Sequence, residues 1–140
     1  KLSYFTFVDK TYTTDEVPED FRVDHAFECV GGVGSEAAIN QIIDVIKPQG
    51  YIALLGVSEN NVPINTRMVL ERGLTLVGNS RSDKNDYKKA IKFLDRNKEI
   101  QGFVKNITSD MIDIKGVNDI HHAFSIDNDN EFKTVMKSYI

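Results

Sequence analysis

Apolar and polar positions along this chain switch repeatedly between two periods. Residues 23–30 form a short apolar run closed by Gly31-Gly-Val-Gly34. Across residues 36–47 the apolar Ala38, Ile39, Ile42, Ile43 and Ile46 then recur at helical spacing. Pro48-Gln-Gly50 stops that helix and turns the chain. Residues 51–57 are continuously apolar, as expected of a parallel strand covered on both faces. A short helix is predicted over 63–72, ended by Gly73, then a strand over 74–77 closed by Gly78-Asn-Ser80. Residues 83–97 predict a second amphipathic helix, with Tyr87, Ala90, Ile91 and Leu94 on one stripe. Upstream, 6–8 reads as a short strand and 9–20 as a polar loop. Downstream, 103–107 reads as extended, 116–124 as a helix, 127–131 as a loop and 132–139 as a strand. Strands alternating with helices predict an α/β fold with a largely parallel sheet.

The glycine cluster after residue 30 changes this picture from fold to ligand. A glycine turn lets backbone approach a ligand closely, and a helix N-terminus carries partial positive charge. Ser35 can cap the helix that follows. Strand ends at Gly56-Val57-Ser58 and Gly78-Asn79-Ser80 repeat the cadence. In an open α/β sheet the ligand crevice lies outside the carboxyl ends of the strands, where all three turns fall. Together they read as one wall of a nucleotide site.

Charge and composition narrow the partners. The 140 residues carry a net charge of −4 with both signs interspersed, and 41% are hydrophobic, enough for a core. There is no basic patch for nucleic acid and no polybasic run for a membrane surface. The longest apolar run is far too short to span a bilayer. One cysteine, Cys29, rules out an internal disulfide framework and fits a reducing cytoplasm. The chain opens on Lys1 rather than methionine and carries no signal peptide, so it reads as a piece of a longer protein.

Spacing tests the remaining chemistry. His25 and Cys29 are four apart on a strand, roughly 13 Å, and the adjacent His121 and His122 point to different sides of a helix. No Cys-x-x-Cys or His-Glu-x-x-His pattern exists, so a zinc site within this chain is not expected. No Gly-x-Ser-x-Gly elbow is present. Glu28, a carboxylate at an apolar strand end, is either a tuned acid, a ribose contact, or a solvated or backbone-paired group. Arg67 and Arg81 are cations suited to phosphate or to surface ion pairs. Lys133 alone is an ordinary surface lysine.

Val23-Asp-His-Ala-Phe-Glu-Cys-Val-Gly31 and Ile46-Lys-Pro-Gln-Gly-Tyr-Ile-Ala-Leu-Leu-Gly-Val57 resemble the cofactor domain of zinc-type medium-chain alcohol dehydrogenases. Pro63-Ile-Asn-Thr-Arg-Met-Val-Leu-Glu-Arg-Gly-Leu-Thr75, with Gly78-Asn-Ser-Arg-Ser82, is similar to the ribulose-5-phosphate reductases, or ribitol-5-phosphate dehydrogenases, of teichoic-acid and capsule synthesis. The resemblance covers essentially the whole chain. It implies an incomplete Rossmann-like sheet, strands 3–6 of the usual order, over residues 1–101, with 102–140 returning to a catalytic domain. It implies hydride transfer between NADP(H), or NAD(H), and a sugar-phosphate carbonyl polarised by zinc. Cys29, Val30 and Gly31 would contact the nicotinamide-side ribose or ring. Leu55, Gly56 and Val57, with Asn79, Ser80 and Arg81, would lie along the nicotinamide. Lys133 would stand where the family often places a basic pyrophosphate contact.

The departures matter as much. The Gly-x-Gly-x-x-Gly turn, the selector between NAD and NADP and the zinc ligands all precede this segment in the family. The chain is expected to be inactive alone, and zinc to be held by residues outside it. Without strands 1 and 2, strand 6–8 either pairs with 24–28, or a second copy covers the exposed edge. A homodimer or domain-exchanged oligomer follows, which a strictly monomeric species in solution scattering would contradict. The alternatives are a methyltransferase-like adenosine binder, revived by adenosylmethionine binding in calorimetry, and a non-catalytic nucleotide-binding or interaction module.

Overall fold

The computed structural model describes residues 2–139. They are α/β, with parallel strands and covering helices, and form two compact units. One comprises Thr13–Arg81, the other Lys1–Tyr12 with Ser82–Ile140.

The first unit is a three-stranded parallel sheet in the order β1 (Val23–Glu28), β2 (Ile46–Leu54), β3 (Thr75–Gly78). Helices α1 (Ser35–Val45) and α2 (Thr66–Arg72) make the crossovers. The expected apolar stripe on α1 is the core: Ile39 and Ile43 are buried with Ile46 and Ile52 of β2, and Leu54, Met68 and Leu76 pack around them. The helix ends at Val45, two residues before the expected Lys47. Pro48 disfavours the α conformation at Lys47 and supplies no N–H, so the chain extends at once. Register slips between Val23↔Ile46 and His25↔Tyr51, and Gln49 takes a left-handed φ of 63°. α2 is capped by Asn65, whose side chain accepts from Met68 N–H at 3.1 Å, and closed by Gly73 at φ 61°. Arg72 Nη1 donates to the carbonyls of Ile43 and Ile46, satisfying groups that the end of α1 leaves without helical partners.

The covered face of this sheet carries Ile52, Leu54 and Leu76. The opposite face carries Phe27 and Tyr51, which are exposed by 70% and 53%. The sheet of this unit is therefore covered on one side, not on both as the continuous apolar run of β2 predicts.

The second unit pairs α3 (Lys84–Arg96) with α4 (Lys98–Lys105), and carries a β4 (Thr108–Ile114)–α5 (Val117–Asp129)–β5 (Lys133–Ser138) crossover in which the strands run parallel. α3 has a reciprocal capping box between Asp83 and Asp86. Its apolar stripe is poorly covered, with Tyr87 and Ile91 exposed. Residues 103–107, expected to be extended, are instead the end of α4 and its exit, because Ile100, Phe103 and Val104 follow helical spacing. Residues 127–129, expected in a loop, extend α5.

The expected strand at 6–8 is absent: Leu2–Tyr4 is a short 3-10 turn and the following residues are turn and bend. Phe7 stacks on Phe103 with ring centroids 4.6 Å apart, and Tyr4 meets Phe132 edge-on at 5.2 Å. Aromatic packing within the second unit thus takes up the residues that would have paired with β1. Residue 101 lies within α4, and the two compact units divide at Arg81–Ser82.

Candidate functional site: a double turn fastened by a buried carboxylate

The three strands of the first unit are parallel, so their carboxyl ends share one edge. There β1 runs into Cys29, Val30 and Gly31, and β2 into Leu55, Gly56 and Val57. Leu54 pairs with Gly78, so Asn79, Ser80 and Arg81 leave the same edge after β3. Arg81 adopts φ 66°, a left-handed conformation uncommon for a non-glycine residue.

The first two turns are stitched together. Glu28 carbonyl accepts from the amides of Leu55 and Gly56 at 2.9 and 3.0 Å, continuing the β1–β2 ladder past its end. Gly32 N–H donates to Val57 carbonyl at 2.8 Å, and Ser58 hydroxyl to Gly32 carbonyl at 3.3 Å. Gly31 lies at φ 67°, ψ −177°, a region open essentially only to glycine. A Cβ there would stand 2.7 Å from Val57 carbonyl oxygen. At Gly56 a Cβ would run into Gly31 N and the Glu28 carboxylate. Both glycines are needed for the close approach of backbone.

Glu28 is 1% exposed, yet its carboxylate has partners on both turns. Oε1 accepts from Val30 N–H at 2.8 Å, Gly31 N–H at 2.9 Å and Ser35 hydroxyl at 3.3 Å. Oε2 accepts from Gly56 N–H at 3.1 Å. The Gly31 amide above all, with those of Val30 and Gly56 and the Ser35 hydroxyl, holds this carboxyl below its ordinary value against the opposing effect of burial. Of the readings open for Glu28, the structure selects the backbone-paired carboxylate. Ser35, expected as a helix cap, makes no cap bond; Gly34 occupies that position and the Ser35 hydroxyl serves Glu28.

This arrangement decides what kind of ligand the turn suits. Successive backbone amides in a glycine turn ordinarily form an anion-binding concavity. Here the protein's own carboxylate takes the amides of Val30, Gly31 and Gly56. The turns present to solvent Val30, Leu55 and Val57, exposed by 64%, 42% and 84%. A surface of apolar side chains over close-packed backbone suits a flat ring and its sugar, and does not suit a diphosphate. Beside it, a cleft of about 660 Å³ opens between Gly32, Val33 and Glu36 on one side and Val57–Pro63 on the other.

Cys29 is exposed immediately after β1. Lys133 belongs to the second unit, at the start of β5. Its ammonium lies 3.5 Å from Asp127, which also accepts from Thr134 N–H at 2.7 Å. Among the described residues no group of three or more His, Cys, Asp or Glu is placed to hold a metal ion, so the residues present do not fit a zinc site.

A Rossmann-like parallel sheet with glycine turns at the carboxyl edge defines the class: part of an α/β domain of the doubly wound kind. The sequence profile of the zinc-binding dehydrogenases matches residues 7–96, and the chain belongs to that family. It is 46% identical over 127 residues to the ribulose-5-phosphate reductase of Bacillus spizizenii, covering 91% of this chain and 37% of that protein. It is 45% identical over 138 residues to ribulose-5-phosphate reductase 2 of Staphylococcus aureus, covering 98% and 40%. The crystal structure of S. aureus TarJ in complex with NADPH superposes with a TM-score of 0.93 at 44% identity, covering 99% of this chain and 44% of that one. The chain thus spans roughly two-fifths of the length of these relatives.

Proposed function

We infer that this chain is the nicotinamide-side part of an NADPH-dependent reductase that converts ribulose 5-phosphate to ribitol 5-phosphate. One observation carries this reading: identity of 45–46% across 91–98% of the chain to proteins named ribulose-5-phosphate reductase. NADPH in the complex of the related TarJ favours NADP over NAD. When bound, NADPH delivers a hydride to the sugar carbonyl, and a zinc ion held by residues outside this chain would polarise that carbonyl. The part played by this chain is to bind and orient. Val30, Gly31, Leu55, Gly56 and Val57 form the apolar wall against the nicotinamide and its ribose, with Cys29 at its start. Asn79, Ser80 and Arg81 continue the wall. Lys133 is a candidate diphosphate contact that must first leave Asp127. The reaction belongs in the cytoplasm, supplying a polyol phosphate for teichoic-acid or capsule precursors, and the bare β1 edge and open sheet face favour assembly as a homodimer or exchanged oligomer.

The test is NADPH oxidation, followed by absorbance, with ribulose 5-phosphate and the complete protein that contains this segment. Saturable turnover is expected, and none from the 140-residue chain alone. Turnover with simple alcohols but not with ribulose 5-phosphate would overturn the substrate assignment.

A further inference from the structure

Glu28 is nearly inaccessible and still receives four hydrogen bonds on its carboxylate. Its bonds divide by oxygen. Oε1 serves the turn after β1, through Val30 and Gly31, and the start of α1, through Ser35. Oε2 serves only the turn after β2, through Gly56. The same residue's carbonyl also holds Leu55 and Gly56. One side chain therefore ties together the two turns that face the ligand, from the side away from it. Carboxylate oxygens accept without donating, so the ionised group satisfies all these donors at once.

We propose that Glu28 is a positioning residue, which fixes the separation of the Val30–Gly31 and Leu55–Val57 turns and so the width of the wall that receives the nicotinamide half of NADPH. This rests on the dinucleotide reading of that wall. Glutamine at this position has the same shape but only one accepting oxygen. With that oxygen at the Oε1 position, the bonds to Val30, Gly31 and Ser35 persist, and the new NH2 group confronts Gly56 N–H. The turn after β2 is then pushed from its partner while the turn after β1 stays in place. The wall changes width without losing any contacting residue. The perturbation is confined to the turn after β2.

Steady-state kinetics and NADPH calorimetry on the complete reductase, wild type against Glu28→Gln and Ser35→Ala, test this. Glu28→Gln is expected to raise KM and Kd for NADPH about tenfold, with KM for ribulose 5-phosphate within about twofold. A purely structural role would lower the melting temperature and the active fraction while leaving both KM values unchanged in the folded enzyme, and that result overturns the proposal. Should Glu28→Gln fail to fold, Ser35→Ala decides. It removes one bond to Oε1 and is expected to weaken NADPH about twofold, and an unchanged Kd overturns the proposal. Wild-type enzyme that binds no NADPH refutes the dinucleotide reading itself and the positioning role with it. Wild-type binding with an unaltered, folded Glu28→Gln refutes the positioning role alone.

Discussion

Replacing Gly31 by alanine is the most discriminating perturbation of the double turn. Gly31 sits at φ 67°, ψ −177°, and holding an L side chain there costs about 1–3 kcal/mol. The new Cβ would stand 2.7 Å from Val57 oxygen and 2.9 Å from Val57 nitrogen, closer than ordinary contact permits. Val57 cannot yield freely, because its carbonyl accepts the 2.8 Å bond from Gly32 N–H. Moving it forfeits about 0.5–1.5 kcal/mol more. The sum is about 1.5–4.5 kcal/mol. Gly73 supplies the control. It too has positive φ, at 61°, but a Cβ there meets nothing within 4 Å. Its cost is the left-handed backbone alone, about 1–2 kcal/mol. Urea denaturation followed by circular dichroism should therefore show Gly31→Ala with a midpoint lower than Gly73→Ala by about 1 M, taking a slope near 1–3 kcal/mol per molar. NADPH binding should be lost only in the former. Equal midpoints for the two variants would refute the claim that close approach, and not φ alone, demands glycine at 31.

Other consequences follow from burial, capping and charge. Ile43 is fully buried between α1 and β2, so Ile43→Ala should cost about 2–5 kcal/mol and Ile43→Val about 0.5–1.5 kcal/mol by chemical denaturation. Arg72→Ala removes a cation from the end of α1 and should cost about 1.5–3 kcal/mol, seen as a lower melting temperature that Arg72→Lys restores only in part. Because the Glu28 carboxyl is held below its ordinary value of 4.5, its contribution to stability is complete above that pH and is lost as pH falls through the lower folded value. The stability gap between wild type and Glu28→Gln should accordingly shrink on acidification from neutral to below about pH 4. A gap that widens there would refute the ionised clamp.

Much of the architecture was legible in the order of residues. Helical spacing of Ile39, Ile42 and Ile43 located α1 and its buried face, and the apolar run through Ile52 and Leu54 located β2. The glycine turns at Gly31 and Gly56 were visible because glycine marks backbone that no other residue can form. Tertiary context overruled the rest. The short segment at 6–8 forms turn and bend where a strand was expected, and its Phe7 ring packs on Phe103. The spacing through Ile100, Phe103 and Val104 suited a helix, where the local composition suggested extension.

At the site, the sequence marked Gly31 and Gly56 as turns where backbone could approach a ligand closely, without saying that the two turns close on each other. It left open what Glu28 does, because a carboxylate beside apolar neighbours is equally consistent with an acid, a sugar contact or an internal tie. Only the tertiary structure decided, by bringing Gly56 N–H within 3.1 Å of a carboxylate 28 positions earlier in the chain. Local pattern records the period of a side chain and the freedom of a backbone angle. The partner of a buried charge is set by parallel pairing of strands far apart in sequence, and once that pairing exists a buried carboxylate must take whatever donors it exposes.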